Sequence, residues 1–421
     1  MIEAFSTREG AGKPAATKSR LRVLSLSLLY PNPAQPNQGV FIQRRLKHLA
    51  HMVDLQIVSP FALVQYGNPR GQRLRIGKTT CPVRRQDGKV AVLHPRWFYP
   101  PFSGSLTAFW LFAQLLYRIR RLRQNFAFDI LDAHFGFPDG VAGSLLASAL
   151  NIPFTITLRG NEPKHSRSRL GRISLALALR KASRVFAVSE TLRTFAIEMG
   201  APADKVRTIP NGVEGTIFWP REKQQCRAKH GIPSEARVIV SAGALVERKG
   251  HHRVIEALKT LAADGIPAQL LIVGGPGPEG AYETELHRLV TSLDLEDRVR
   301  FCGPVDGDTM AELMSAADIF CLASTNEGWP NVVHEALACG APVVATRVGA
   351  IPEMLASGRG LIVPVNDPFQ LKEALALAFQ MNWDRAAASA WARARSWEEV
   401  AAELYHEMEM IVQSRANRKT A

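Results

Sequence analysis

The stretch that most constrains this chain runs from Ala323 to Gly340 and reads Ala-Ser-Thr-Asn-Glu-Gly-Trp-Pro-Asn-Val-Val-His-Glu-Ala-Leu-Ala-Cys-Gly. An apolar run from Asp318 to Leu322 precedes it and reads as a buried strand. Pro330 suits the first position of a helix, where a missing N–H costs nothing. Gly340 and then Pro342 end that helix. Glu327 is therefore expected in a strand-to-helix loop and Glu335 on the second helical turn. The N–H groups of Gly328, Trp329 and Asn331 point out of the helix start, where the dipole also favours an anion. An anion site beside one carboxylate, with a second carboxylate further along, suits a ligand bearing both phosphate and hydroxyls. Taken alone, the two glutamates read more simply as a first-turn charge and a solvated face, so the other loops have to decide.

Those loops belong to a repeating strand–helix pattern. Leu21–Ser27, Val53–Val58, Asp129–His134, Phe154–Leu158 and Val185–Val188 read as strands separated by helical stretches, as in a parallel α/β sheet. The pattern restarts at Val238–Gly243 and continues through Gln269–Val273, Val299–Phe301, Pro342–Ala345 and Leu361–Val363. At 421 residues two domains are natural. They are expected at 21–210 and 211–395, with the Asn211-Gly212 turn at the boundary. Residues 1–20 are polar and basic and read as a disordered tail. A last helix, in residues 396–421, is expected to pack back on the first domain. Residues 67–100, rich in Arg, Gly and Pro, read as irregular. The fold class is thus α/β, with two doubly wound Rossmann-like domains facing a central cleft.

Ligands in such sheets sit beyond the carboxyl ends of the strands. In the first half that rim carries the Pro31–Gly39 loop, His134, and the Arg159-Gly160-Asn161 loop, so Gly39, Arg159 and Asn161 are candidates for one wall of the site. In the second half it carries Gly243 and the loop reaching Arg248 and Lys249, beside the loop of Glu327. A cation pair for a diphosphate, a helix start and two hydroxyl-binding carboxylates describe a nucleotide-sugar pocket. The run Gly274-Gly275-Pro276-Gly277-Pro278 lacks a full dinucleotide fingerprint. Asp306-Gly307-Asp308 looks like a metal motif, but Asp308 reads better as the cap of a Thr309–Ser315 helix. No metal and no cofactor are expected.

Composition narrows the setting. Five cysteines, at 81, 226, 302, 321 and 339, form no metal spacing and no set of pairs, which points to a reducing, cytoplasmic environment. Residues 1–210 hold 31 Lys and Arg against 11 Asp and Glu, whereas the remainder holds 21 against 27. An anionic partner is expected for the first half alone. The Arg118–Arg123 and Lys164–Arg184 clusters suggest an anionic membrane surface, reached peripherally from the inner face of the cytoplasmic membrane, with a phosphorylated soluble acceptor or plain solubilisation as the other readings. Nucleic acid is not expected, because these cations are not interleaved with aromatics in a recognised module.

The landmarks Gly243…Lys249-Gly250, Ile272-Val273-Gly274, Phe301-Cys302-Gly303, Glu327-Gly328-Trp329-Pro330…Glu335-Ala336-Leu337-Ala338-Cys339-Gly340 and Pro342-Val343-Val344-Ala345 resemble those of the retaining family-four glycosyltransferases. Asn211-Gly212-Val213, Val188-Ser189 and Ala133-His134…Pro138-Asp139-Gly140 extend the resemblance over nearly the whole chain. It implies the two-domain GT-B fold and transfer of a hexose-type sugar from a nucleotide-diphosphate sugar to a glycan or lipid-linked acceptor, as in cell-surface polysaccharide synthesis. It also implies that Glu327 holds sugar hydroxyls, Glu335 the ribose and Lys249 the diphosphate, while His134 lines the acceptor side. Many members carry Arg where this chain has Ala244, so Arg248 is expected to assist Lys249. Retention by double displacement wants two carboxylates roughly 5 Å apart. With Glu335 on the ribose, the resemblance implies front-face transfer instead. A sugar-nucleotide epimerase of the same architecture is the alternative.

Overall fold

The computed structural model describes residues 20–65, 75–76, 81–277 and 282–420. Residues 1–19 of the expected tail, Pro278 of the glycine run and parts of the 67–100 stretch lie outside them.

The first sheet is built from β1 (Arg22–Leu26), β2 (Asp54–Val58), β3 (Arg84–Asp87), β4 (Val90–Leu93), β5 (Ile130–His134), β6 (Phe154–Leu158), β7 (Arg184–Ala187) and β8 (Val206–Thr208). Its spatial order is β8-β7-β6-β5-β1-β2-β4-β3. Every pair is parallel except the β3–β4 hairpin at the edge. That hairpin corrects the expectation of an irregular 67–100 stretch. Asp87 pairs with Val90, and Gly88, at φ +61, opens the two-residue Gly88-Lys89 turn of this tight hairpin.

Helices α1 (Val40–Leu49), α2 (Thr107–Asn125), α3 (Val141–Leu150), α4 (Arg169–Lys181) and α5 (Glu190–Glu198) cover this sheet. On one side Val23, Ile57, Ile42 and Leu46 share a core with Trp397, Leu404 and Met408 of α8 (Trp397–Thr420). The final helix therefore lies against the first sheet although it follows the second in sequence. On the other side Leu111 and Leu115 of α2, Leu146 of α3 and Leu175 of α4 pack over Leu131 and Ile156.

The second sheet holds β9 (Val238–Ala242), β10 (Gln269–Val273), β11 (Val299–Gly303), β12 (Ile319–Leu322), β13 (Val343–Thr346) and β14 (Gly360–Val363), in the order β11-β10-β9-β12-β13-β14. Its strands are near-continuous apolar runs because helices bury both faces, α6 (His251–Ala263) among them. Five of its six strands begin and end within one residue of the sequence reading, and β11 extends it by two, to Gly303.

The chain crosses between the sheets at Asn211–Val213 and returns at Arg395–Trp397. The crossings touch, since the Val213 N–H donates to the Arg395 carbonyl (2.9 Å). Strand order reverses between β1 and β5 in one sheet and between β9 and β12 in the other. Crevices form at such reversals.

Candidate active site

The second-sheet wall comes from the loops after β9 and β12. Gly243 leaves β9 at φ +147, with its Cα facing the Lys249 stem. A single 3₁₀ turn, Glu247–Lys249, then carries the cations. Lys249 Nζ donates to Glu327 Oε1 (2.7 Å), and Arg248 Nη1 lies 3.9 Å from the same oxygen. Ser324 Oγ also donates to that carboxylate (2.8 Å). Two cations around one carboxylate leave a net positive charge, which favours an arriving diphosphate. The glycine run supports this wall: a Cβ on Gly274 would lie 1.8 Å from the Gly243 carbonyl oxygen, so only glycine lets the two loops meet.

Helix α7 (Asn331–Ala338) follows β12. Pro330 is its cap rather than its first helical residue, because ψ of 94° is still extended. Gly340 at φ +74 ends the helix as expected. The Trp329 ring is turned into the core against His334, with ring centroids 5.5 Å apart, so only its backbone can meet a ligand. Glu335 is 9% exposed, and burial pushes its carboxyl above the usual range while Arg44 pulls it back. Its partner comes from the other domain: Arg44 Nη1 of α1 donates to Glu335 Oε1 (2.8 Å). No sequence spacing signals a pair separated by 291 positions.

The first-sheet wall differs from expectation at His134. The reading placed it in the crevice, whereas the side chain is completely buried. Asp132 and His134 are two residues apart on β5 and share a face. His134 Nε2 lies 3.1 Å from Asp132 Oδ2 and 3.1 Å from Ser25 Oγ, and Nδ1 accepts from Arg159 Nη2 (2.9 Å). Desolvation lowers the imidazole to about 4, so the ring is neutral. A neutral ring accepting at Nδ1 must donate from Nε2, which satisfies Asp132. His134 is thus a positioning residue for Arg159.

Arg159 passes this order across the cleft. Its Nη1 donates to Asn211 Oδ1 (3.3 Å), and Asn211 Nδ2 donates to Asn331 Oδ1 at the start of α7 (3.0 Å). The Arg159 guanidinium also sits 5.1 Å from the Phe41 ring centroid. Asn161 is exposed beside it. Gly39, at φ +75, caps α1, where a Cβ would lie 2.0 Å from the Leu29 carbonyl oxygen. The loops themselves touch: a Cβ on Gly328 would fall 2.0 Å from the Arg159 carbonyl oxygen. The structure therefore brings Glu327, Glu335, Lys249, Arg248, Gly243, Gly328 and Asn331 together, with Arg159 and Asn161 facing them.

The metal-like triplet lies elsewhere. Asp306, not Asp308, caps the helix Gly307–Ala316 by accepting from the Thr309 N–H (2.8 Å). Asp308 instead pairs with Arg221 at 2.7 Å.

Comparison with known proteins follows the same division. A profile described as "Glycosyltransferase Family 4" matches residues 28–215, and one described as "Glycosyl transferases group 1" matches residues 222–395. A D-inositol 3-phosphate glycosyltransferase of Corynebacterium urealyticum is 30% identical over 325 residues, covering 72% of this chain and 74% of that protein. The chain belongs to the family-four glycosyltransferases. This glycosyltransferase is also 26% identical to the putative teichuronic acid biosynthesis glycosyltransferase TuaC of Bacillus subtilis, over 84% of this chain and 88% of that one. Among solved structures, Anabaena Alr3699/HepE in complex with UDP superposes with a TM-score of 0.66 at 21% identity, covering 95% and 100% of the two chains. That likeness establishes the GT-B fold.

Proposed function

We propose that this glycosyltransferase moves a hexose-type sugar, with retention, from a nucleotide-diphosphate sugar to a hydroxyl of a glycan or lipid-linked acceptor in cell-surface polysaccharide synthesis. The observation that carries this reading is the Lys249–Glu327 pair at 2.7 Å beside the start of α7, with Glu335 about one helical turn further along the same crevice. Lys249 and Arg248 take the diphosphate, helped by the N–H groups at the helix start. Glu335 accepts the ribose hydroxyls and Glu327 those of the sugar. Gly39, Arg159 and Asn161 belong to the acceptor side, and His134 acts through Arg159.

In the step itself, the acceptor oxygen bonds to the anomeric carbon as the bond from that carbon to the diphosphate oxygen breaks. The acceptor proton passes to the departing diphosphate on the same face. Positioning and charge stabilisation by Lys249, Arg248 and the helix start carry the catalysis. TuaC, named for teichuronic acid biosynthesis, favours a surface polymer as the product. The Corynebacterium urealyticum relative, by contrast, is named for D-inositol 3-phosphate.

The test is incubation with a panel of nucleotide sugars and lipid-linked acceptors. Products are read by mass spectrometry and their anomeric configuration by NMR. A glycosylated acceptor with the donor's configuration supports the reading. An inverted product contradicts it, as does acceptor-independent conversion to a new sugar nucleotide.

A further inference from the structure

Two helices of the first domain expose apolar side chains that their own core does not use. In α2 the buried stripe is Ala108, Leu111, Leu115 and Ile119. Leu106 and Trp110 lie on the opposite, solvent side, next to the fully exposed Phe102. In α4 the buried set is Ser174, Leu175, Ala178 and Leu179, while Leu170, Ile173 and Leu177 form an exposed stripe at i, i+3, i+7 spacing. Arg169, Arg172 and Arg180 are exposed and run along one edge of that stripe.

The two stripes belong to one surface. Both helices pack beside α3 on the same side of the sheet. Their starts meet where Ser105 Oγ and Ser168 Oγ lie 2.6 Å apart. Next to that junction opens a cavity of about 700 Å³, walled by Phe61, Trp97, Tyr99 and Phe137 and rimmed by Lys164 and Arg167. Its far side is the loop of Asn32, Gln35 and Gln38, which leads into Gly39 and so to the cleft.

We propose that the starts of α2 and α4 form the face by which this enzyme docks on an anionic lipid bilayer, setting the aromatic cavity over the membrane where a lipid-linked acceptor emerges. The inference rests on the transfer reading above for its purpose, not for its evidence. Exposed Trp, Phe, Leu and Ile edged by arginines match the apolar boundary and negative surface of such a bilayer. Among the described residues no helix is long and apolar enough to cross a membrane, so the contact is peripheral. Of the two clusters that the charge pattern suggested, Lys164–Arg184 belongs to this surface and Arg118–Arg123 does not. Arg118 donates to the Arg96 carbonyl (2.8 Å) and Arg123 to the Leu150 carbonyl (2.7 Å), on the order of 15–25 Å along α2 from its start.

Co-sedimentation of the full chain with phosphatidylcholine vesicles, with and without phosphatidylglycerol, tests it. Binding should appear only with phosphatidylglycerol and weaken with salt. Each engaged arginine contributes about a fivefold factor, so R169Q/R172Q/R180Q should lose about a hundredfold. W110S/I173S/L177S should lose at least about tenfold through apolar insertion. Both variants should melt as wild type does and bind a nucleoside diphosphate unchanged. Absence of wild-type binding to the anionic vesicles at low salt overturns the inference, as does equal binding to neutral vesicles or wild-type binding by both variants. Failure of nucleoside diphosphate binding in the wild type would instead remove the donor reading and leave the vesicle result standing.

Discussion

The two sheets meet the cleft with opposite electrostatics. At the end of the first sheet Asp132, His134 and Arg159 are all buried, and their partners are one another, Ser25, Thr155 and Asn211. Arg45 lies entirely inside, 6.0 Å from the Phe186 ring centroid, with its guanidinium pushed down to about 10 by desolvation. At the end of the second sheet Lys249, Arg248, Glu327 and Glu335 stand in ion pairs that line the crevice. The first group cannot re-partner without opening the core, whereas the second can exchange a carboxylate for a phosphate or a hydroxyl. A chain with 31 cations in its first half thus uses several of them to hold loops in place, and most of the ion-paired groups that line the crevice come from the mildly acidic half.

The largest effect should come from Glu327→Gln. It should lower kcat by one to three powers of ten, about 1.5–4 kcal/mol, because a charged hydrogen bond to the transferring sugar is lost. Folding stability should move by less than about 1 kcal/mol. Steady-state rates beside a denaturant melt check both, and a normal kcat would erase the contrast between the sheets.

His134→Ala should do the reverse. It leaves Asp132 and Arg159 buried without their shared partner, at a cost of about 2–4 kcal/mol in stability. The pH dependence has a definite sign. His134 titrates near 4 when folded, below the ordinary value near 6.5, so the unfolded chain takes up the proton first. Stability is fully present above about pH 6.5 and is lost as pH falls towards 4. His251 and His334 are held down to about 4 in the same way, so His134→Gln should flatten that slope without abolishing it. A melting midpoint independent of pH across this window would contradict the buried neutral network.

The smallest effect is assigned to Arg44→Gln. Its ion pair with Glu335 is partly exposed and worth about 1 kcal/mol or less. Releasing Glu335 should tighten nucleoside binding by up to about fivefold, as read by calorimetry. Weaker binding would mean that Arg44 supports the ligand rather than competing with it.

Much of this was legible in sequence, for reasons that differ by element. Residues 318–340 carry an apolar strand, a Gly/Pro loop and a helix stop in adjacent positions, so local chemistry alone locates Glu327 and Glu335. The boundary at Pro330 slipped by one position because its ψ, not its fixed φ, decides where the helix begins. His134 could be placed at a strand end but not oriented. Its fate depends on Arg159 from the neighbouring strand, although the period-two match with Asp132 was available as a hint. The pairings of Arg44 and Asn211 gave no signal, although Asn211 itself was marked as a turn, since their partners Glu335 and Asn331 are set by how the two domains meet.

In the proposed function the second-sheet loops hold a nucleotide diphosphate through Lys249. Calorimetry of Lys249→Ala with a nucleoside diphosphate and with its parent nucleoside, UDP and uridine or GDP and guanosine, tests it most directly. The loss of a charge-assisted phosphate contact predicts a diphosphate weakened by about 1.5–3 kcal/mol, roughly ten- to a hundredfold, with the nucleoside changed by less than about twofold. Equal weakening of both ligands, or of neither, would contradict it.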